Sequence, residues 1–115
     1  MAMATAKMKK ATNTSALAVN ETLLRTKKTF QQAANLLKQV SDPTRLQVVT
    51  LLSERERNVG GLCEEVTQSQ PAMSHHLALL RHGGIIDRRR QGKNNFYTLT
   101  DTGYRLSKIV KGVTG

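Results

Sequence analysis

Tryptophan is absent from this sequence, and aromatic residues make up only 3% of it. A hydrophobic core with so few rings has to be assembled from Leu, Val, Ile, Ala and Met, the residues of packed helices rather than of a sandwich or barrel. The single cysteine, Cys63, leaves no partner for an intrachain disulfide and no thiolate cluster for a zinc-finger fold, and it fits a reducing compartment. No apolar run approaches the roughly 20 residues of a membrane span. Nor does any segment set basic residues opposite a broad apolar face with anchoring tryptophans, as a helix lying on a membrane surface requires. The first twenty residues lack the apolar stretch of about 7 to 15 residues found in a secretory signal, so a cytoplasmic protein is expected. Acid is the other scarcity, with 8 Asp and Glu against 18 Lys and Arg and a formal net charge of +10 over 115 residues. That excess favours a polyanionic partner, nucleic acid before any other.

One domain suits a chain of this length. Residues 1–19, rich in Ala, Thr, Lys and Ser with little to bury, read as a disordered basic arm ahead of a domain over residues 20–115. From Asn20, a favoured N-cap type, Leu23, Leu24, Phe30, Ala33, Ala34, Leu37 and Val40 recur at near-helical spacing. Asp42 and Pro43 stop this helix and open the next, which buries Leu46, Val48, Val49, Leu51 and Leu52. After a polar stretch at 53–58, residues 59–66 predict a third helix burying Val59, Leu62, Cys63 and Val66. Residues 67–70 turn the chain. Pro71 opens a fourth helix in which Met73, Leu77 and Leu80 fall at i, i+4 and i+7, leaving Gln70, Ser74, His75, Ala78 and Arg81 on or near the opposite face. Gly83 and Gly84 end it. Residues 85–90 and 95–100 read as two strands of a hairpin around Gln91, Gly92, Lys93 and Asn94. A last helix is expected over 101–113.

Two short helices joined by a tight turn, the second polar on one face, form a helix-turn-helix, whose second helix enters the major groove of DNA. The basic hairpin follows directly. Arg88, Arg89, Arg90, Lys93 and Asn94 gather at its tip, within reach of a phosphate or the minor groove, and Gly92 permits the turn. The fold class is therefore mainly α with a small β-hairpin wing, a winged helix-turn-helix in the order α-α-α-α-β-β-α.

Ser69, Gln70, Ser74, His75, His76 and Arg81 are the candidate contacts on the fourth helix. Gln70 offers both donor and acceptor to adenine, Ser74 is a short adaptable partner, and His75 can donate to guanine or to a phosphate. A plainer reading stands beside each of several residues. Ser69 caps the helix, His75 is simply solvated, and His76, next to the buried Leu77, is an internally bonded imidazole. The run from Arg88 to Lys93 is either a phosphate-binding surface or a solvated charge run. Cys63 is either a small buried hydrophobe or a thiol open to oxidation.

The expected function is sequence-specific binding of double-stranded DNA to regulate transcription. The alternative is a non-specific architectural DNA- or RNA-binding protein, for which the charge alone suffices. An enzyme is not expected. Ser74, His75 and His76 are sequential on one helix, with no acid placed to orient a base and no glycine-rich phosphate loop.

Three stretches carry a resemblance: SDPTRLQVVTLL at 41–52, QSQPAMSHHLALLRHGGII at 68–86 and RRRQGKNNFYTLTDTG at 88–103. They are similar to those of the ArsR/SmtB bacterial repressors, and with the third helix the likeness covers about residues 30–112. The resemblance implies a homodimer through the first and last helices, with Leu23, Phe30, Leu37, Ile109 and Val110 at the interface. It also implies that the fourth helix is the recognition helix and that the operator is an inverted repeat, since a two-fold dimer sets two such helices on successive major-groove faces.

Many members of that family are released from DNA by metal ions. The family's cysteine pair, in an ELCVCDL-like stretch, corresponds to Glu56–Leu62 here, where Asn58 and Gly60 stand at the cysteine positions and neither is a soft-metal ligand. For the family's other site, Asp101 matches the opening acid, but Gly103 replaces the histidine and residues 110–115 contain neither His nor a carboxylate. No metal and no cofactor is expected, and no inducer is assigned. His75, His76 and His82 all lie on the recognition helix or its end.

Overall fold

The computed structural model describes residues 13–115, with side chains from Ala18 onward. In chain order they form α1 (Asn13–Gln39), α2 (Pro43–Glu54), β1 (Arg57–Asn58), α3 (Val59–Val66), α4 (Gln70–His82), β2 (Ile86–Gln91), β3 (Asn94–Leu99) and α5 (Asp101–Thr114). The chain divides into two units, Met1–Ala34 and Asn35–Gly115.

In the first unit α1 already runs from Asn13, ahead of the Asn20 start expected from the pattern. Ala16, Leu17 and Ala18 are strong helix formers, and propensity carries the helix through a stretch whose composition reads as an arm. The expected arm is therefore helical over 13–19, and its residues 1–12 lie outside the described residues. The hydroxyls of Thr22, Thr26 and Thr29 donate to the carbonyls of Ala18, Thr22 and Arg25, each at 2.9 Å, so these polar side chains bond back to their own helix. Leu23, Leu24 and Phe30 are exposed.

The second unit holds the core. Asp42 caps α2 by accepting from the Arg45 backbone N–H at 3.0 Å, with Pro43 in the first turn. Val48, Val49 and Leu52 of α2 are buried against Leu62, Met73, Leu77, Leu80, Ile85 and Ile86. Each such side chain contributes about 1.5–3 kcal/mol relative to leaving it exposed. Cys63 is half-buried against the same cluster. Asn58 caps α3 through the Gly61 N–H at 2.8 Å. That helix ends at Thr67, whose φ of 57° is left-handed and turns the chain toward α4.

The sheet is antiparallel, in the order β1-β3-β2. Strands β2 and β3 form the expected hairpin, with Ile86 opposite Leu99 and Gln91 opposite Asn94, and Gly92 takes the positive φ of the turn. The pairing of β1 with β3, Arg57 opposite Tyr97 and Asn58 opposite Phe96, lies within the stretch read from sequence only as polar. It is anchored by Arg57, an arginine only 6% exposed. Its guanidinium binds Glu65 at 2.5 Å, Glu54 at 3.2 Å and the carbonyls of Leu51 and Arg55. The Glu65 carboxylate, with help from Glu54, raises its pKa against the opposing pull of burial. The second unit is thus mainly helical with a small three-stranded sheet, and α3, α4 and the β2–β3 hairpin make up a winged helix-turn-helix.

Candidate nucleic-acid interface

Helical periodicity decides which side chains α4 can offer. Met73, Leu77 and Leu80 are buried, which fixes the helix against the core, while Gln70, Ser74, His75, Ala78 and Arg81 stand exposed on the remaining surface. Ser69 precedes them as N-cap, its hydroxyl accepting from the Ala72 N–H at 3.3 Å.

His76 turns inward. It is half-buried, with Nδ1 3.0 Å from Nη1 of Arg45 and 3.9 Å from Oδ2 of Asp42. Arginine is a donor only, so Nδ1 accepts and the ring proton sits on Nε2. The internal reading of His76 is the one this geometry carries, and its imidazole does not join the exposed face. Arg45 also donates through Nε to the Gln39 carbonyl at 2.5 Å. One guanidinium thereby ties the end of α1 and the start of α2 to α4. The backbone N–H of Arg45 holds the Asp42 carboxyl below its ordinary pKa, with burial opposing and the charge of Arg45 adding to the effect.

In the wing, register sorts the arginines. Arg88 and Arg90 lie opposite Tyr97 and Asn95, on the strand face shared with the buried Ile86, whereas Arg89 lies opposite Phe96 on the other. Arg88, Arg90, Lys93 and Asn94 are exposed, and Nε of Arg90 donates to the Gly92 carbonyl at 3.2 Å across the turn. Arg89 is engaged differently. It grips Glu56 with two bonds of 2.5 and 3.2 Å, donates to Gln91 at 2.8 Å, and sits 5.1 Å over the Phe96 ring.

Gln70, Lys93 and Asn94 meet in one cleft of about 230 Å³, together with Asn58, Gly60 and Asn95. The start of α4 and the wing turn are therefore adjacent, although 23 positions separate Gln70 from Lys93 in the chain. Arg45, Glu56 and Asn95 take part in or around this surface without standing out in the sequence. Arg45 alone had a local signal, its place in the first turn after the Asp42–Pro43 cap; the roles of the other two depend on strand pairing.

The two places where the resemblance directs a search for metal do not fit one. The side-chain oxygen of Asn58 is occupied in capping α3. At Gly103 a Cβ would run into the Ile85 carbonyl oxygen and the Leu99 side chain, so the histidine of that pattern has no room. Among the described residues no three His, Cys, Asp or Glu side chains gather as a metal would need. No helix among them is long and apolar enough to cross a membrane.

Of the residues expected at a dimer interface, Leu37 and Ile109 are exposed in the second unit and line a groove of about 220 Å³ with Val40, Leu46, Leu106 and Val113. Val110 lines the same groove and is only 7% exposed, because the helical turn of α5 points it toward its own chain. Leu23 and Phe30 are exposed on the first unit.

Comparison with known proteins gives these features a context. The sequence profile described as bacterial regulatory protein, arsR family, matches residues 42–88. An uncharacterized HTH-type transcriptional regulator of Methanocaldococcus jannaschii is 37% identical over 87 residues, covering 71% of this chain and 91% of that protein. The biofilm growth-associated repressor of Xylella fastidiosa is 43% identical over 74 residues, 64% of this chain, which spans 65% of the repressor's length. Among solved structures, the homodimeric winged helix-turn-helix DNA-binding domain of a possible ArsR-family regulator from Mycobacterium bovis superimposes with a TM-score of 0.69 at 27% identity. That match covers 78% of this chain and 84% of the other. The chain belongs to the arsR family of bacterial regulatory proteins, whose fold and family are those of DNA-binding transcriptional regulators and not of enzymes.

Proposed function

We propose that this chain is a sequence-specific regulator that represses transcription by binding an inverted-repeat operator in double-stranded DNA as a cytoplasmic homodimer, with neither familiar metal site in use. One observation carries the reading. The exposed surface of α4 presents Gln70, Ser74, His75 and Arg81, with Ala78 and Leu79 between them, its opposite face is fixed in the core, and the wing turn stands beside its first residue. In this reading Gln70, Ser74, His75 and Arg81 face base edges and nearby phosphates in the major groove, and Arg88, Arg90, Lys93 and Asn94 engage the backbone. Ser69 serves as the cap that starts the helix at the groove. The homodimer is supported by the exposed apolar side chains of Leu37, Ile109 and Val113, by those of Leu23 and Phe30 in the other unit, and by the homodimeric relative.

The test is affinity for genomic fragments selected by the protein against affinity for random duplex at one fixed salt concentration. A specific regulator prefers its operator by roughly 10³-fold or more. A ratio near one with only a steep salt dependence would replace this reading with an architectural or RNA-binding role.

A further inference from the structure

The wing carries Arg88, Arg89, Arg90 and Lys93, yet one of these charges is already answered within the protein. Arg89 is held by a two-pronged carboxylate contact to Glu56 at 2.5 and 3.2 Å, by Gln91 at 2.8 Å and by the face of Phe96 at 5.1 Å. A two-bond arginine–carboxylate contact is geometrically the strong form of an ion pair. The aromatic ring adds attraction of its own. Glu56 belongs to the segment just before β1, so the pair reaches from one outer strand of the sheet, β2, across β3 to the other side. Register puts Arg88 and Arg90 on the opposite strand face from Arg89, and Lys93 lies in the turn. A duplex can meet these three cations while Arg89 stays where it is.

We infer that Glu56 withholds Arg89 from the DNA backbone, lowering sequence-independent attraction to any duplex while leaving the face of α4 untouched. The inference rests on the DNA-binding reading above. Glu56 acts through Arg89 and touches no DNA itself. Each phosphate contact contributes to affinity and to its salt dependence whatever the base sequence, so withholding one from the wing lowers affinity for every duplex alike and makes binding less steeply salt-dependent.

Binding to a random duplex, followed by fluorescence anisotropy of the full chain between 50 and 200 mM salt, tests this. Glu56→Gln frees Arg89, and the plot of log affinity against log salt is expected to steepen by about 0.9 units. Over that fourfold salt range, affinity then falls roughly 3.5-fold further than in the parent. Its operator-to-random ratio at one fixed salt concentration is expected to stay at the parent's value. Arg89→Ala alone keeps the parent's slope, and Glu56→Gln combined with Arg89→Ala returns to it. Lys93→Ala, a change within the proposed interface, makes the slope shallower by about 0.9 units. A shallower slope for Arg89→Ala with Glu56 present, or an unchanged slope for Glu56→Gln, overturns the inference and leaves the DNA-binding reading standing if Lys93→Ala behaves as described. Failure of the parent to bind any duplex overturns both.

Discussion

Ser74 and His75 stand exposed one and two positions beyond the buried Met73, so their side chains can change without disturbing the packing that holds α4. If they face base edges, replacing both by alanine weakens operator binding by about 1–3 kcal/mol for each well-formed bond to a base and narrows the preference over random duplex, while the melting temperature stays near the parent's. Titration of both duplexes at one salt concentration checks this, and equal binding by variant and parent would place the pair outside the interface. Asp42 carries a different kind of prediction. Its carboxyl is held below the ordinary value by the Arg45 backbone N–H, so the ionised cap stabilises the fold at neutral pH. That contribution is lost as pH falls through the lowered value, beneath the ordinary carboxylate range. Asn is also a good cap. Asp42→Asn is therefore expected to lose little at pH 7 and to flatten the fall in stability in strong acid, as read from thermal melts across that range.

Among the elements, the helices were the legible part. Pro71 placed the start of α4 to within a residue, the spacing of Met73, Leu77 and Leu80 gave its buried face, and residues 59–66 coincide with α3, because capping and amphipathic periodicity are local properties of the chain. The hairpin was readable from Gly92 and its flanking strands. Strand β1 was not, since two residues have no pattern of their own and form a strand only where Arg57 is buried beside Tyr97. The same limit hid the pairing of Glu56 with Arg89, which are 33 positions apart. The neighbouring Leu77 made an inward His76 one of two readings, but the partner that fixes it, Arg45 from another helix, was hidden by the same limit. Arg45 joins α1, α2 and α4, so Arg45→Ala leaves the Gln39 carbonyl and His76 Nδ1 short of a partner. A loss of about 1–3 kcal/mol in urea unfolding is expected for such half-buried groups, with weaker operator binding beside it. Arg45→Lys should restore neither fully, because an ammonium lacks the planar fork that reaches both acceptors. Complete recovery by lysine would show that charge, and not the two-point geometry, is what matters.

At the scale of the molecule, the net charge of +10 and the exposed apolar side chains pull in different directions. Charge draws the chain toward a polyanion and holds copies apart. A face bearing Leu37, Ile109 at 52% exposed and Val113 at 82% exposed gains by being covered, and a second copy can cover it. Ile109→Glu puts an acid on that face without entering the core. Sedimentation is expected to record a shift from dimer toward monomer, and operator affinity is expected to fall far more than affinity for a single half-site. A dimer unaffected by Ile109→Glu would move the interface elsewhere.

Thr67 joins α3 to α4 in a left-handed conformation that glycine adopts freely and that a branched side chain adopts only with roughly 1–2 kcal/mol of strain. A glycine there would be more comfortable and far more permissive. Threonine has fewer backbone states to give up on folding than glycine would, so part of the strain at this joint is offset by a smaller loss of chain freedom.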